Sequence, residues 1–167
     1  QCLETLNKHP EVRMLILDIM MPGIDGLEVC REIRKTSNIP ILILSAKAED
    51  MDKIVTQGKE LGTYLYFMTG GEPTVRKADI LKLAEKHNDC MFALFSNSTL
   101  IDEELCQKIV ELGNITFLLS IEGTPETNDS RRGNGHYEAV MKAMDLLKKY
   151  GIVFGTSIKK AKFPLLK

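Results

Sequence analysis

The sequence predicts an α/β protein built on a parallel sheet. Two observations lead to this class: six short apolar runs, each followed by polar residues or glycine, and amphipathic segments between the runs. Strands that are buried on both faces of a parallel sheet are almost continuously apolar, and helices supply the crossovers between them. With right-handed crossovers we expect six strands, singly wound in the order 1-2-3-4-5-6, either as a partial (βα) barrel or as an open, flavodoxin-like sheet.

Each predicted element follows from its own stretch of sequence. The apolar runs place strands at 14–20, 39–45, 64–69, 91–96, 115–121 and 152–158. The helical periodicity places helices at 26–35, 49–61, 75–87, 102–112 and 137–150, after a first helix over about 1–8. Asp102 is a predicted N-cap, and Gly62, Gly113 and Gly151 are predicted C-terminal stops.

Length and composition bound the function classes. The 167 residues allow one domain, or one domain and a fragment, and the formal net charge of −1 argues against a protein that coats nucleic acid or an anionic membrane. No apolar run approaches the roughly 18 residues of a membrane-spanning helix. The cysteines (Cys2, Cys30, Cys90 and Cys106) form no C-x-x-C pair, so we expect reduced thiols in a cytoplasmic protein.

The first half of the chain has a strand that ends in a carboxylate. Asp18 closes the first predicted strand and precedes the turn Met20-Met21-Pro22-Gly23-Ile24-Asp25-Gly26. The second strand ends at Ser45, whose hydroxyl is followed by a small alanine. A carboxylate at the carboxyl end of a buried parallel strand can act as an exposed nucleophile, and the hydroxyl can donate to a group bound to it.

Residues 1–62 resemble response-regulator receiver domains, through LILDIMMPGIDGLEVCREIRK and IPILILSAKAEDMDKIV. The resemblance implies that Asp18 accepts a phosphoryl group, that Ser45 is the switch hydroxyl, and that Asp18 and the main chain of Met20 bind Mg²⁺. A histidine kinase would then be the partner. The family's acidic pair and its lysine before proline are not found in these residues, so the alternative is that Asp18 is a relic, solvated at a strand end.

The second half of the chain places polar residues after each later strand. The series comprises Gly70, Gly71, Glu72 and Pro73, then Ser96 and Asn97, then Ser120 and Glu122, and finally Arg132. Two adjacent glycines allow a ligand to approach the backbone, and a glutamate can accept a hydrogen bond from an ammonium group. Since parallel strands end at one edge of a sheet, this edge is the predicted ligand site.

Residues 63–158 resemble the core of radical S-adenosylmethionine enzymes, through GGEP, SNST, SIEG and DSRRG in this order. The resemblance implies that Gly70, Gly71, Glu72 and Pro73 bind the amino group of S-adenosylmethionine. The other polar residues of the series would contact the same cofactor. The family's C-x3-C-x2-C motif is not found in the sequence. We therefore expect no iron–sulfur cluster, no required cofactor, and at most residual binding of Mg²⁺ or S-adenosylmethionine.

These observations predict a single hybrid domain over 1–167, with a basic tail at 159–167. The leading hypothesis is an engineered or recombined scaffold protein without a complete catalytic site, so enzyme activity is not expected. The alternatives are a phospho-acceptor module that uses Asp18 and an S-adenosylmethionine-binding remnant. Open sheet edges would allow a homodimer. His9, His87 and His136 are expected to be solvated.

Overall fold

The structure is a computed structural model that describes residues 5–6, 8–9, 11–18, 26–44 and 48–158, without the side chains at 18, 27, 42–44, 48 and 49. The chain forms two compact units, Gln1–Thr63 and Tyr64–Lys167. Their boundary lies next to the predicted junction at residue 62. That the two segments make one domain stays a prediction.

The first unit contains a two-stranded parallel sheet. Strands β1 (Leu15–Asp18) and β2 (Ile41–Leu44) pair so that Asp18 lies opposite Leu44. Helix α1 (Gly26–Arg34) connects them, and helix α2 (Ala48–Glu60) follows β2. The apolar face of α1 packs on the sheet, and the buried cluster there is Leu17, Val29, Cys30 and Ile33.

The second unit contains a four-stranded parallel sheet in the order β3-β4-β5-β6. Its strands are β3 (Leu65–Met68), β4 (Met91–Ser96), β5 (Ile115–Ser120) and β6 (Phe154–Ser157). A 3₁₀ turn (Pro73–Arg76) and helix α3 (Lys77–Lys86) follow β3, α4 (Glu103–Leu112) follows β4, and α5 (Pro125–Arg132) and α6 (His136–Lys149) follow β5.

The core of the second unit lies between its sheet and its helices. Strands β4 and β5 have a neighbour on both sides, and Phe92, Phe117 and Leu119 are completely buried. The edge strands are more exposed, as Phe67 on β3 shows with 56% of its surface accessible. Burial along each strand therefore follows the number of its neighbours, as expected for a short parallel sheet.

The predicted strands and the later predicted helices are present, and most of them are shorter than predicted. The predicted single sheet is not confirmed. The strands belong to two sheets, so the single six-stranded sheet and its continuous order lack confirmation, although each sheet follows the order of the sequence. Most of the first predicted helix, over about 1–8, falls outside the described residues. The described ones in this range, Thr5, Leu6 and Lys8, are helical. The N-cap at Asp102 and the left-handed stop at Gly113 are confirmed.

Helix α5 was not predicted, because its sequence PETNDSRR has no apolar face and buries only Asn128. Its start was nevertheless marked, since the Thr124 side chain accepts from the Thr127 N–H and Pro125 occupies the first turn.

None of the helices in the described part of the chain has the length and apolar character of a membrane span.

Candidate functional site

A cavity of about 440 Å³ opens at the carboxyl ends of β3 to β6. Parallel strands bring their ends to one edge of the sheet, so residues far apart in sequence meet there. The residues that line it are Thr69, Gly71, Glu72, Phe95, Asn97, Ser120, Arg132, Ser157 and Ile158.

The chain leaves β3 through two glycines in left-handed conformations. Gly70 has φ of 93° and Gly71 has φ of 53°. A side chain at either position would be strained by the backbone alone, although a Cβ would meet no neighbour within 4 Å. The glycine pair thus makes the sharp turn that carries Glu72 to the cavity.

The Glu72 carboxylate is held by donors from its own turn and from the end of β4. Its Oε1 accepts from the Thr74 N–H (3.1 Å), the Thr74 hydroxyl (2.5 Å) and the Ser96 hydroxyl (2.8 Å). Its Oε2 accepts from the Asn97 N–H at 2.6 Å. Four donors fix the carboxylate before any ligand arrives. Binding of a cationic group therefore costs little side-chain entropy at Glu72.

The loop after β4 is ordered by hydrogen bonds to its own side chains. The Asn97 side-chain oxygen accepts from the N–H and the hydroxyl of Thr99, and the Ser98 N–H donates to the Ser96 hydroxyl. Ser98 has φ of 73°, a conformation that costs a residue with a side chain about 1–2 kcal/mol. Backbone strain of this kind collects at binding sites that the surrounding structure holds in place.

A buried ion-pair cluster lies on the other side of the cavity. Glu122 has only 2% of its side chain exposed and accepts from Arg131 Nη1 at 2.8 Å. Arg132 donates to the same carboxylate through Nε (3.1 Å) and Nη2 (2.7 Å). Two guanidinium groups against one carboxylate leave a net positive charge, and Arg132 brings part of it to the cavity wall.

The segment that carries Arg132 is fixed by Asp129 and Asn128. Asp129 accepts from the Gly135 and Tyr137 N–H groups, and the bond from Tyr137 lowers the pKa of this carboxyl. Asn128 is fully buried, accepts from the Glu122 N–H, and lies 3.0 Å from Nδ1 of His136. Burial is the main reason that the pKa of His136 is lowered.

The expectation that the histidines are solvated is therefore wrong for two of them. His87 and His136 have only 3% and 9% of their surfaces exposed, while His9 is exposed and contacts Glu11. Both buried histidines lie at the ends of elements, where the sequence pattern resembles that of a surface loop.

The cavity wall carries opposite charges on residues from different strands. Glu72, after β3, supplies an anion, and Arg132, at the end of α5, supplies a cation. A ligand that carries both an ammonium and a carboxylate group would find a complementary charge for each at this wall. Asn97, Ser120 and Ser157 line the same cavity with polar groups.

The structure brings most of the predicted cofactor residues to this edge. Gly71, Glu72, Asn97, Ser120 and Arg132 line the cavity. Gly70 and Pro73 shape the turn around Glu72, and Ser96 is buried beneath it. Glu122, also predicted to contact the cofactor, has its carboxylate bonded to the two arginines.

The predicted phospho-acceptor residues are described only in part. Asp18 is the last residue of β1, and its side chain lies outside the description. Ser45 and Met20, the predicted switch hydroxyl and the predicted main-chain Mg²⁺ ligand, lie outside the described residues. In the part of the chain that the structure describes, no group of three or more His, Cys, Asp or Glu residues could hold a metal ion.

Sequence reasoning missed Thr74, Phe95, Asn128, Ser157 and Ile158 at this edge. Thr74 directly follows GGEP, and Ser157 and Ile158 end the last strand, so their position was the available signal. Asn128 belongs to the helix that was not predicted, and its role depends on a contact with His136 that sequence spacing does not reveal.

The described thiols do not fit an iron–sulfur cluster. Such a cluster needs several thiolates at one place. Cys30, Cys90 and Cys106 are each buried, and burial raises the pKa of the Cys106 thiol to about 11, which disfavours the thiolate. The three described thiols, Cys30, Cys90 and Cys106, therefore do not form a cluster site.

The curated relatives confirm the resemblance to response regulators. The chain is 46% identical over 61 residues to a transcriptional regulatory protein CpxR homolog of Haemophilus influenzae. The aligned segment covers 36% of this chain and 26% of that protein. It is 52% identical over 42 residues to the transcriptional regulatory protein AfsQ1 of Streptomyces coelicolor, covering 25% and 19%. The chain thus spans about a quarter or less of these relatives.

The solved structures are similar in another way. Native anSMEcpe with bound AdoMet and the Cp18Cys peptide has a TM-score of 0.55 and 26% identity, over 66% of this chain and 34% of that chain. Native anSMEcpe with bound AdoMet has the same TM-score of 0.55 with 23% identity, over 86% of this chain and 42% of that chain. The chain therefore spans less than half of this protein.

The Radical SAM superfamily matches residues 25–158, beginning well before the predicted start at residue 63. The matched range thus includes helix α1, β2 and α2 of the first unit. The prediction that no cofactor is required and no cluster is expected is wrong, because this family match and the AdoMet-bound structures imply S-adenosylmethionine and an iron–sulfur cluster. With most of its length matched, the chain belongs to the Radical SAM superfamily.

Proposed function

We propose that the chain binds S-adenosylmethionine at the carboxyl edge of β3 to β6, with the amino-acid end of the ligand against Glu72 and Arg132. The observation that carries the proposal is the Glu72 carboxylate, which four donors hold at the wall of the cavity. Family membership and the AdoMet in the similar structures support the same ligand.

The charges of the wall match the amino-acid end of the ligand. The ligand ammonium would donate to Glu72, and its carboxylate would accept from Arg132. Glu122 and Asp129 fix the segment around Arg132, so the guanidinium is oriented before binding. S-adenosylmethionine supplies a sulfonium whose carbon–sulfur bonds are activated, and this chain's own residues bind and orient the molecule.

Titration calorimetry of the full chain with S-adenosylmethionine tests the proposal. We expect saturable binding to the wild-type chain and at least a tenfold loss of affinity in Glu72→Gln, because a hydrogen bond to a charged group contributes about 1.5–3 kcal/mol. Glu138→Gln is the matched control, since Glu138 is an exposed glutamate on α6 that pairs with Lys142 and does not line the cavity. No binding to the wild type, or equal binding to Glu72→Gln, would contradict the proposal.

The response-regulator segment supports a second candidate function. Asp18 ends β1 beside Leu44 of the parallel β2, and the curated relatives are 46% and 52% identical over their matched segments. In the receiver family, which this segment resembles, such an aspartate accepts a phosphoryl group. The carboxylate would attack the phosphorus of a small phosphodonor such as acetyl phosphate, which forms an acyl phosphate and releases acetate.

Intact-mass measurement after incubation with acetyl phosphate and magnesium chloride tests this second function. We expect one added phosphoryl group on the wild-type chain and none on Asp18→Asn. Asp145→Asn, on helix α6 of the other unit, is the control that should still be modified. An unmodified wild type would remove the candidate.

A further inference from the structure

The donors around Glu72 divide unevenly between its two oxygens. Oε1 accepts three hydrogen bonds, two from Thr74 and one from Ser96. Oε2 accepts one, from the Asn97 N–H. A carboxylate offers about four lone-pair sites, two on each oxygen, so among the described residues the donors saturate Oε1 and leave an acceptor site on Oε2.

The two hydroxyl donors are buried behind the carboxylate. Thr74 has 2% of its surface exposed and Ser96 has 1%, so neither hydroxyl has water as an alternative partner. The Ser96 hydroxyl also accepts from the Ser98 N–H at 2.9 Å, which orients its own proton toward Glu72. The hydroxyls therefore prevent rotation of the carboxylate, since rotation would leave two buried donors unpaired.

We propose that Thr74 and Ser96 are positioning residues, which hold Glu72 so that its Oε2 accepts the ammonium group of the ligand and selects ligands that carry one. This inference rests on the proposed function and extends it to the choice of ligand. Thr74 acts through Glu72, because its hydroxyl donates to the Glu72 carboxylate and Thr74 itself does not line the cavity. The hydroxyls thereby favour a primary ammonium over a neutral group at this position.

Two ligands separate this role from a general effect on the fold. S-adenosylmethionine carries the ammonium group, whereas 5′-methylthioadenosine keeps the adenosine and the sulfur, as a neutral thioether, and lacks the amino-acid end. Thr74→Val removes the hydroxyl at nearly constant volume, and Thr74→Ser keeps it. We expect Thr74→Val to bind S-adenosylmethionine about tenfold more weakly than the wild type and to bind 5′-methylthioadenosine equally well.

Thr74→Ser should restore the affinity for S-adenosylmethionine to within about threefold of the wild type, because the donor is retained. Thr116→Val is the matched control: its hydroxyl donates to the Val153 carbonyl, and it belongs to the same sheet without lining the cavity. It should change neither affinity. Ser96→Ala repeats the test from β4 and decides it if Thr74→Val does not fold.

Three results would overturn the inference. The first is a Thr74→Val chain that binds S-adenosylmethionine as tightly as the wild type. The second is an equal loss for both ligands, which would indicate a structural role only. The third is a Thr74→Ser chain as weak as Thr74→Val. A wild-type chain that binds neither ligand would instead contradict the proposed function, and this inference would fall with it.

Discussion

Each unit has an acidic residue at or after the end of a strand, but the two sheets differ in size. In the first unit Asp18 ends β1 of a two-stranded sheet. In the second, Glu72 follows β3 of a four-stranded sheet and receives donors from its own turn and from β4. The difference teaches that a strand-end carboxylate becomes a binding group through its neighbouring strands, since they bring the donors that orient it.

The units also differ in the depth of their cores. The first unit buries a cluster of Leu17, Val29, Cys30 and Ile33, while Ile16 on β1 remains 62% exposed. The second unit buries apolar residues from three helices and its central strands. A parallel sheet needs cover on both faces, and a two-stranded sheet has few residues with which to form a core.

The largest expected effect comes from removing a central ring of the second unit. Phe117→Ala should cost about 3–5 kcal/mol, because Phe117 is completely buried on a strand with two neighbours. Ile33→Ala, equally buried in the first unit, should cost about 2–3 kcal/mol, because the smaller isoleucine side chain leaves a smaller cavity. Native-state hydrogen exchange of the β5 and β1 amides measures the two effects separately. A larger loss for Ile33→Ala would contradict the comparison.

The next effect concerns Asn114, a buried polar residue of the second unit. The Asn114 amide donates to the carbonyls of Ala84, His87 and Cys90, and so ties the end of α3 to the start of β4. Asn114→Ala should lower the free energy of unfolding by about 2–3 kcal/mol, because the buried carbonyls lose their donor. Urea unfolding measures this, with the exposed Asn134→Ala as control. Equal urea midpoints for the two variants would show that the Asn114 hydrogen bonds do not stabilise the fold.

A smaller effect of opposite sign is expected at the strained loop beside Glu72. Ser98→Gly should raise the free energy of unfolding by about 0.5–1 kcal/mol, because glycine adopts a φ of 73° without steric cost. Ser98→Ala keeps the strain and serves as the control. Thermal unfolding measures both, and a destabilised Ser98→Gly would show that the buried serine side chain contributes more than its backbone strain costs.

The smallest effect is a pH dependence at His136. Because burial lowers the pKa of this imidazole below its usual 6.5, the unfolded chain binds the proton more readily. Its contribution to stability is therefore lost as the pH falls through 6.5 and is fully present above it. Urea unfolding between pH 5 and 8 should give a shallower pH profile for His136→Gln than for the wild type, within the roughly two-unit window of imidazole titration. Parallel profiles would contradict this.

Sequence patterns predicted the parallel α/β class and the strand ends that form the site. Apolar runs revealed β4 and β5 because these strands are buried on both sides. The sheet itself was less predictable, since strand periodicity does not tell which strands pair. Helix α5 was missed because it is polar, and the Thr74 and Ser96 hydroxyls were missed as donors to Glu72 because their role depends on side-chain direction.

The cofactor prediction failed for a related reason. It inferred the need for a cofactor from one cysteine motif, whereas the family match extends over residues 25–158 and depends on the whole alternation of strands and helices. The absence of the cysteine motif therefore does not decide whether the strand-end polar residues bind a cofactor.

A crystal structure of the full chain with S-adenosylmethionine tests the central claim most directly, because it locates the ligand atoms. The account predicts the ligand nitrogen within about 3.2 Å of Glu72 Oε2 and the ligand carboxylate within hydrogen-bond distance of Arg132. A ligand bound elsewhere on the chain, or one whose amino-acid end points away from Glu72, would contradict it.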